Sequence, residues 1–175
     1  VNFAAPTPAW MVQRLERSGL RSINALGDIT NYVLIALGQP LHAFDADKLQ
    51  GDIVVRYAKP DEQITLLNDK TVSLTPDMLV IADAQGPQAL AGIMGGAASA
   101  VSDTTQNVFL ESAWFDPLAI VGKSRILGFG SDSSYRFERG VDYAQTASAL
   151  DYASDLILQI CGGSAGPITE HITQL

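Results

Sequence analysis

The chain has 175 residues, of which 47% are apolar and 17% charged, with a formal net charge of −8. An apolar share of that size supports a sizeable core, while the charged share lies below the roughly 25% usual for soluble domains and suggests surface that another body covers. The acidic balance argues against a general nucleic-acid binder, which needs a basic face for phosphates, though not against a domain that handles one end of a nucleic acid held elsewhere.

A single cysteine, Cys161, excludes a disulfide framework and points to a reducing compartment. With only two histidines beside it, a structural zinc site is not expected. No apolar run reaches the length of a membrane span and no signal peptide is visible. The first residue is Val1 rather than Met, which reads as a fragment or processed piece.

Thr7-Pro8 reads as a helix start, with Thr7 capping and Pro8 in the first helical position. Trp10, Met11, Leu15 and Val12 would form its buried stripe and Gly19 its end. Leu20 to Asn24 is a short extended link carrying Arg21. Asp28 opens a second helix, with Ile29, Tyr32, Val33 and Leu37 at helical spacing and Gly38 as its stop. Pro40 forbids continuation, so His42 falls on an extended or looped segment.

From Ile53 the period changes to that of strands. Ile53–Tyr57 is one strand, and Gln63–Leu66 with Thr71–Leu74 form a hairpin around Leu67-Asn68-Asp69-Lys70. Thr75–Met78 looks like one capped helical turn. Leu79–Ala82 and the run from Gln88 flank the turn Asp83–Pro87. That run ends in Gly92-Ile93-Met94-Gly95-Gly96, where bare backbone lets another group come close. Ser99–Asn107 is a polar surface loop, and Val108–Leu110 delivers Glu111 to a strand end.

Asp116-Pro117 starts a third helix running to about Leu127 and ended by Gly128. Ser131–Gly140 mixes hydroxyls with alternating charge and reads as a loop with one salt-bridged strand. A last long helix spans about Tyr143–Ile160, with Ala147, Leu150, Ala153, Leu156, Ile157 and Ile160 facing the core. The pattern is α+β: a mixed, mostly antiparallel β core with helices at both chain ends, taken as a single domain over residues 1–175, with strand order unreadable.

Several standard sites are set aside. The glycines lack the dinucleotide spacing, and Gly122-Lys123-Ser124 has Pro117 where a phosphate loop needs its first glycine. No Gly-x-Ser-x-Gly elbow is present. What remains is a polar set of Arg21, Asn31, His42, Glu111, Ser131 and Ser133 with the glycine backbone, able to bind a small polar ligand and position a water. On pattern alone the plainer readings stand beside it: Glu111 solvated, His42 a satisfied core residue, Arg21 and Asn31 ordinary surface groups.

Asp28-Ile-Thr-Asn-Tyr-Val33, Gly38-Gln-Pro-Leu-His-Ala-Phe-Asp45, Ala91-Gly-Ile-Met-Gly-Gly96 and Ser134-Tyr-Arg-Phe-Glu-Arg-Gly-Val-Asp142, in that order, resemble the central editing domain of the beta subunit of bacterial phenylalanyl-tRNA synthetase. The resemblance covers nearly the whole chain and implies a domain cut from a larger subunit. It implies a cytoplasmic ester hydrolase that removes tyrosine wrongly attached to the phenylalanine tRNA. Its partners would be the 3′ end of tRNA(Phe) carrying tyrosine, the remaining domains of the beta subunit and the alpha subunit.

The same resemblance implies no metal or cofactor in this domain, with ATP and Mg used by the synthetic site elsewhere in the enzyme, and no membrane. It assigns Glu111 to the phenol hydroxyl, Arg21 and His42 to the entrance and the ester, and Asn31 to the amino-acid moiety. Gly92, Gly95 and Gly96 would supply close backbone approach and N–H donors to the ester oxygen. Ser131 and Ser133 would lie across the pocket, where family members often have threonine and alanine. A positioned water would attack the ester without a covalent intermediate, His42 being a weaker candidate for general base. Two other readings compete: a non-catalytic tRNA-contact or scaffold module of the synthetase, and a free-standing binding domain for an amino-acid-like ligand.

Overall fold

The computed structural model describes residues 1–173. Three helices form one layer: α1 (Ala9–Arg17), α2 (Ala25–Leu37) and, at the far end of the chain, α6 (Thr146–Cys161). Met11, Leu15, Ile29, Val33, Ala149, Ala153, Leu156, Ile157 and Cys161 close a shared apolar cluster. Met11 and Leu15 of the first expected stripe and Ala153, Leu156 and Ile157 of the last are buried, whereas Trp10 stays 42% exposed and Ala147 lies on the outside, with Ala149 in an inner position.

The helix starts also differ. Asn24 caps α2 by accepting from the Gly27 N–H at 2.8 Å. Asp28 lies inside the helix, fully buried, and accepts from Thr7 Oγ1 (2.6 Å), Ser22 Oγ (2.5 Å) and the Ile23 N–H (2.9 Å). That carboxylate draws the Thr7 hydroxyl away, so α1 has no side-chain cap and Pro8 stands at the cap position instead of the first helical one.

The strands are β1 (Leu41–Asp45), β2 (Val54–Tyr57), β3 (Gln63–Thr65), β4 (Thr71–Ser73), β5 (Leu79–Asp83), β6 (Gly86–Leu90), β7 (Met94–Gly95) and β8 (Val108–Ser112). They form a four-stranded sheet in the order β2-β5-β6-β7, the hairpin β3–β4 and the ribbon β1–β8, with every pairing antiparallel. This is an α+β fold with an antiparallel core, as the sequence pattern indicated. The hairpin joins the sheet beyond β7 through the Leu66–Gly96 bridge, and β1 touches Ala100 through Phe44. Thr75–Met78 is a tight turn closed by Met78 N–H to Thr75 O, not a helical turn. The polar loop 99–107 lies between the strands as expected, yet Thr105 is buried because its hydroxyl donates to Asp45.

The expected third helix is two short ones, α3 (Pro117–Ile120) and α4 (Lys123–Leu127). Gly122 breaks them apart at φ +81°. The stretch read as a loop with a strand is a helix, α5 (Asp132–Phe137), capped by a reciprocal Ser131–Ser134 box. The alternating charges that suggested a strand include Asp132 and Arg136, an i,i+4 ion pair across one helical turn. Phe137 on α5 packs on Phe115, 5.0 Å between rings, and both join Phe44, Leu66, Met78, Val80, Leu90 and Ile120 in a second apolar cluster.

Candidate functional site

The ribbon β1–β8 separates the two clusters, and its pleat decides what faces each. Side chains alternate between faces along a strand, and directly paired residues share a face. Ala43 pairs with Leu110 and Asp45 with Val108; Ala43, Leu110 and Val108 pack on the helical cluster with Leu41. The opposite face carries the pairs His42–Glu111 and Phe44–Phe109. Phe44 is buried in the second cluster, so His42 and Glu111 point towards the sheet side.

There they meet Gly92 from the β6–β7 connection, Gly95 from β7 and Ser133 from α5, around a cleft of about 50 Å³. Its walls are apolar, with Leu90, Ile93, Met94 and Phe137 prominent. The enclosed volume is far below the roughly 300 Å³ at the lower end for small-molecule pockets, so a larger ligand would extend beyond it.

The two titratable groups are perturbed in opposite directions by one cause. Burial lowers His42 to about 4 and raises Glu111 to about 7. His42 is therefore neutral at pH 7, and Glu111 is present in both forms. The His42 Nε2 is buried without a hydrogen-bond partner, and the ring stands edge-on to Phe44 at 4.4 Å. Among the described residues, His42 and Glu111 form no ion pair with each other despite their direct cross-strand pairing.

The glycines have three separate reasons to be glycine. A Cβ on Gly95 would stand 2.3 Å from His42 Cε1 and 2.6 Å from Nε2, so the missing side chain is the space the imidazole occupies. A Cβ on Gly96 would stand 2.5 Å from the Gln88 carbonyl oxygen, and the Gly96 N–H already donates to that oxygen at 2.8 Å. Gly92 turns the chain at φ +69° beneath Phe115, Ile120 and Phe137.

Of the residues singled out in the sequence, the cleft brings together His42, Glu111, Gly92, Gly95 and Ser133. Ser131 lies just behind it, donating from Oγ to the Ile93 carbonyl at 2.6 Å and so tying α5 to the β6–β7 turn. Arg21 is exposed on the α1–α2 link, and Asn31 is half-buried on α2; neither lines the cleft. Gln39, whose buried amide reaches across the ribbon, and the wall residues Met94 and Phe137 were missed. Phe137 follows Ser133 by four residues, a signal legible only once the segment is read as helical. Cys161 sits in the helical cluster with its thiol pushed up by burial, away from this cleft. Among the described residues no cluster of three or more His, Cys, Asp or Glu could hold a metal ion, and no helix is long and apolar enough to cross a membrane.

The B3/4 domain family matches residues 1–162. The chain is 62% identical over 170 residues to the phenylalanine–tRNA ligase beta subunit of Neisseria gonorrhoeae, covering 97% of this chain and 22% of that one. It is 59% identical over 175 residues to the same subunit of Chromobacterium violaceum, again 22% of that protein. It thus spans about a fifth of the length of these relatives. A looser likeness, TM-score 0.45 at 14% identity, is to an N-terminal fragment of the phenylalanyl-tRNA synthetase beta subunit from Pyrococcus horikoshii, covering 68% of this chain and 42% of that one. On the match over residues 1–162, the chain belongs to the B3/4 domain family.

Proposed function

We propose that this chain is an editing domain of a phenylalanyl-tRNA synthetase beta subunit, hydrolysing the ester of tyrosine mischarged onto tRNA(Phe). The observation that carries the reading is the pairing of His42 with Glu111 across β1–β8, at an apolar cleft, with no partner bonded to His42 Nε2. Tyrosine differs from phenylalanine by one hydroxyl. A buried carboxyl that bonds this hydroxyl would discriminate strongly, since phenylalanine would leave it unpaired, at about 1–3 kcal/mol or more. Glu111 supplies that group: ionised it accepts from the phenol, and protonated it can also donate.

A water attacks the ester carbonyl; oxygen bonds to carbon, the ribose oxygen leaves, and the water's protons pass to that oxygen and to solvent. Neutral His42 can orient this water through Nε2. Gly92 lines the cleft where the ester would lie, Gly95 seats the imidazole, and the Gly96 N–H is held by Gln88. In this reading the domain works in the cytoplasm without its own cofactor, and the 3′ end of tRNA(Phe), the rest of the beta subunit and the alpha subunit are its partners. Arg21 and Asn31 would act outside the enclosed cleft, on the tRNA end.

The small enclosed volume favours a second reading, a non-catalytic tRNA-contact or scaffold module. The test is deacylation of tyrosyl-tRNA(Phe) by this chain and its Glu111→Ala variant, with phenylalanyl-tRNA(Phe) as control. Selective hydrolysis that the variant loses supports editing. No hydrolysis by this chain or by the whole synthetase carrying it supports the scaffold.

A further inference from the structure

We propose that Gln39 is a positioning residue for the His42–Glu111 pair, its side-chain amide completing the β1–β8 pairing where Pro40 has no N–H to give. The register runs His42–Glu111, then Leu41–Ser112, and its next step sets Pro40 against Ala113. Proline cannot donate to a ladder. The Gln39 Nε2 takes the vacant role, donating to the Ala113 carbonyl at 2.8 Å and to the Pro40 carbonyl at 3.1 Å. One amide group therefore spans both strands immediately beyond their last backbone pair.

The rest of the ribbon shows why this brace matters. Its far end is tied by Asp45 N–H to the Ser99 carbonyl (2.9 Å) and by Thr105 Oγ1 to Asp45 (2.7 Å). At the His42–Glu111 end the ties are Gln39 and the Ser112 hydroxyl on the Thr146 carbonyl (2.7 Å). A slip of one residue between the strands would break the His42–Glu111 pairing and turn the cleft group of the slipped strand towards the helical cluster. Gln39 is 1% exposed, and its Oε1 has no partner, a cost that methionine would not carry. The amide is thus retained for its donor.

Only the activity readout rests on the editing reading; the geometric one does not. In Gln39→Met, which keeps length and loses the donor, His42 is followed by NMR titration. The chain has two histidines, and exposed His171 serves as reference. Glu111 is the other titratable group lining the cleft, so it is followed in parallel. The expected result is a His42 titration that moves up from about 4 towards the ordinary 6.5 as the ring leaves its seat. In tyrosyl-tRNA(Phe) deacylation, kcat would fall on the order of a hundredfold with KM nearly unchanged, as for a misplaced reacting group.

An unmoved His42 titration overturns the proposal whatever happens to stability. If Gln39→Met does not fold, Gln39→Glu, which keeps the volume, is titrated instead; failure of both to fold overturns the proposal in favour of a plain structural role. A parent chain without hydrolytic activity would sink the editing reading while leaving the titration to decide on Gln39.

Discussion

Replacing Gly95 with alanine tests the arrangement of the cleft most directly. The added Cβ would meet His42 Cε1 at 2.3 Å, against an ordinary contact of 3.4 Å, so the ring must retreat by 3.4 − 2.3 = 1.1 Å. Phe44 stands edge-on against the ring at 4.4 Å and limits that retreat. Gly95 has no positive φ, so the backbone adds no strain and the whole effect falls on the imidazole. Overpacking of this kind costs about 1–3 kcal/mol. With a urea dependence of about 2 kcal/mol/M, the unfolding midpoint would fall by about 1 M. The assay is a double-mutant cycle of Gly95→Ala, His42→Ala and the pair, each followed by urea unfolding. Without the ring, the nearest atom to the new methyl group is the flexible Leu67 Cδ1 at 3.2 Å, so most of the penalty should vanish. A coupling of about 2 kcal/mol is expected. Additivity within about 0.5 kcal/mol would refute the claim that Gly95 is glycine to seat His42.

Glu111→Gln should change how stability depends on pH. The folded value, about 7, lies above the ordinary 4.5, so the folded state binds the extra proton between them and the parent chain loses stability as pH rises through that window. Unfolding at pH 4.5 and pH 8 should show the variant gaining up to about 3 kcal/mol on the parent at the higher pH. His42 acts in the opposite sense: its folded value lies below 6.5, so its contribution is intact above 6.5 and lost as pH falls towards 4, and His42→Ala should flatten the acid limb. Gly92→Ala combines a φ of +69° with contacts of 3.1–3.2 Å and should lower stability by about 2–4 kcal/mol in the same unfolding assay. Asp28→Ala strands the Thr7 and Ser22 hydroxyls and the Ile23 N–H, and should cost about 3 kcal/mol. Arg21→Ala, on an exposed link, should leave stability within about 0.5 kcal/mol, so any loss in tRNA deacylation would report contact rather than folding.

Local chemistry was legible wherever one residue decides the backbone. Pro40 forced an extended segment and β1 begins at Leu41; Gly38 stopped α2 at Leu37. Period-two patterns gave the hairpin of β3 and β4, and the apolar run Val108–Leu110 gave the strand carrying Glu111. The misreadings arose where two local signals competed. Thr7 is a good cap, but the buried Asp28 carboxylate, a residue of the next helix, takes its hydroxyl. Ser131 to Gly140 alternates in charge like an exposed strand, yet Ser134 returns the bond of the Ser131 cap, a box more usually closed by Glu or Gln and so overlooked.

The site was legible in its parts and not in its assembly. His42 and Glu111 drew attention singly, but they are 111 − 42 = 69 residues apart and no local pattern encodes their register. That register rests on long-range ties: the Phe44–Ala100 bridge at one end and Gln39 on Ala113 at the other. The glycines show the same limit. Their spacing announces close approach without saying of what, and at Gly95 the approaching group is the protein's own imidazole. The same contact that makes glycine necessary there also strips water from His42 and holds it neutral, so the packing of the cleft and the protonation state of its histidine are one property. A substitution that loosens the first must move the second, and this is why the titration of His42 reports on Gly95, Gln39 and the β1–β8 register together.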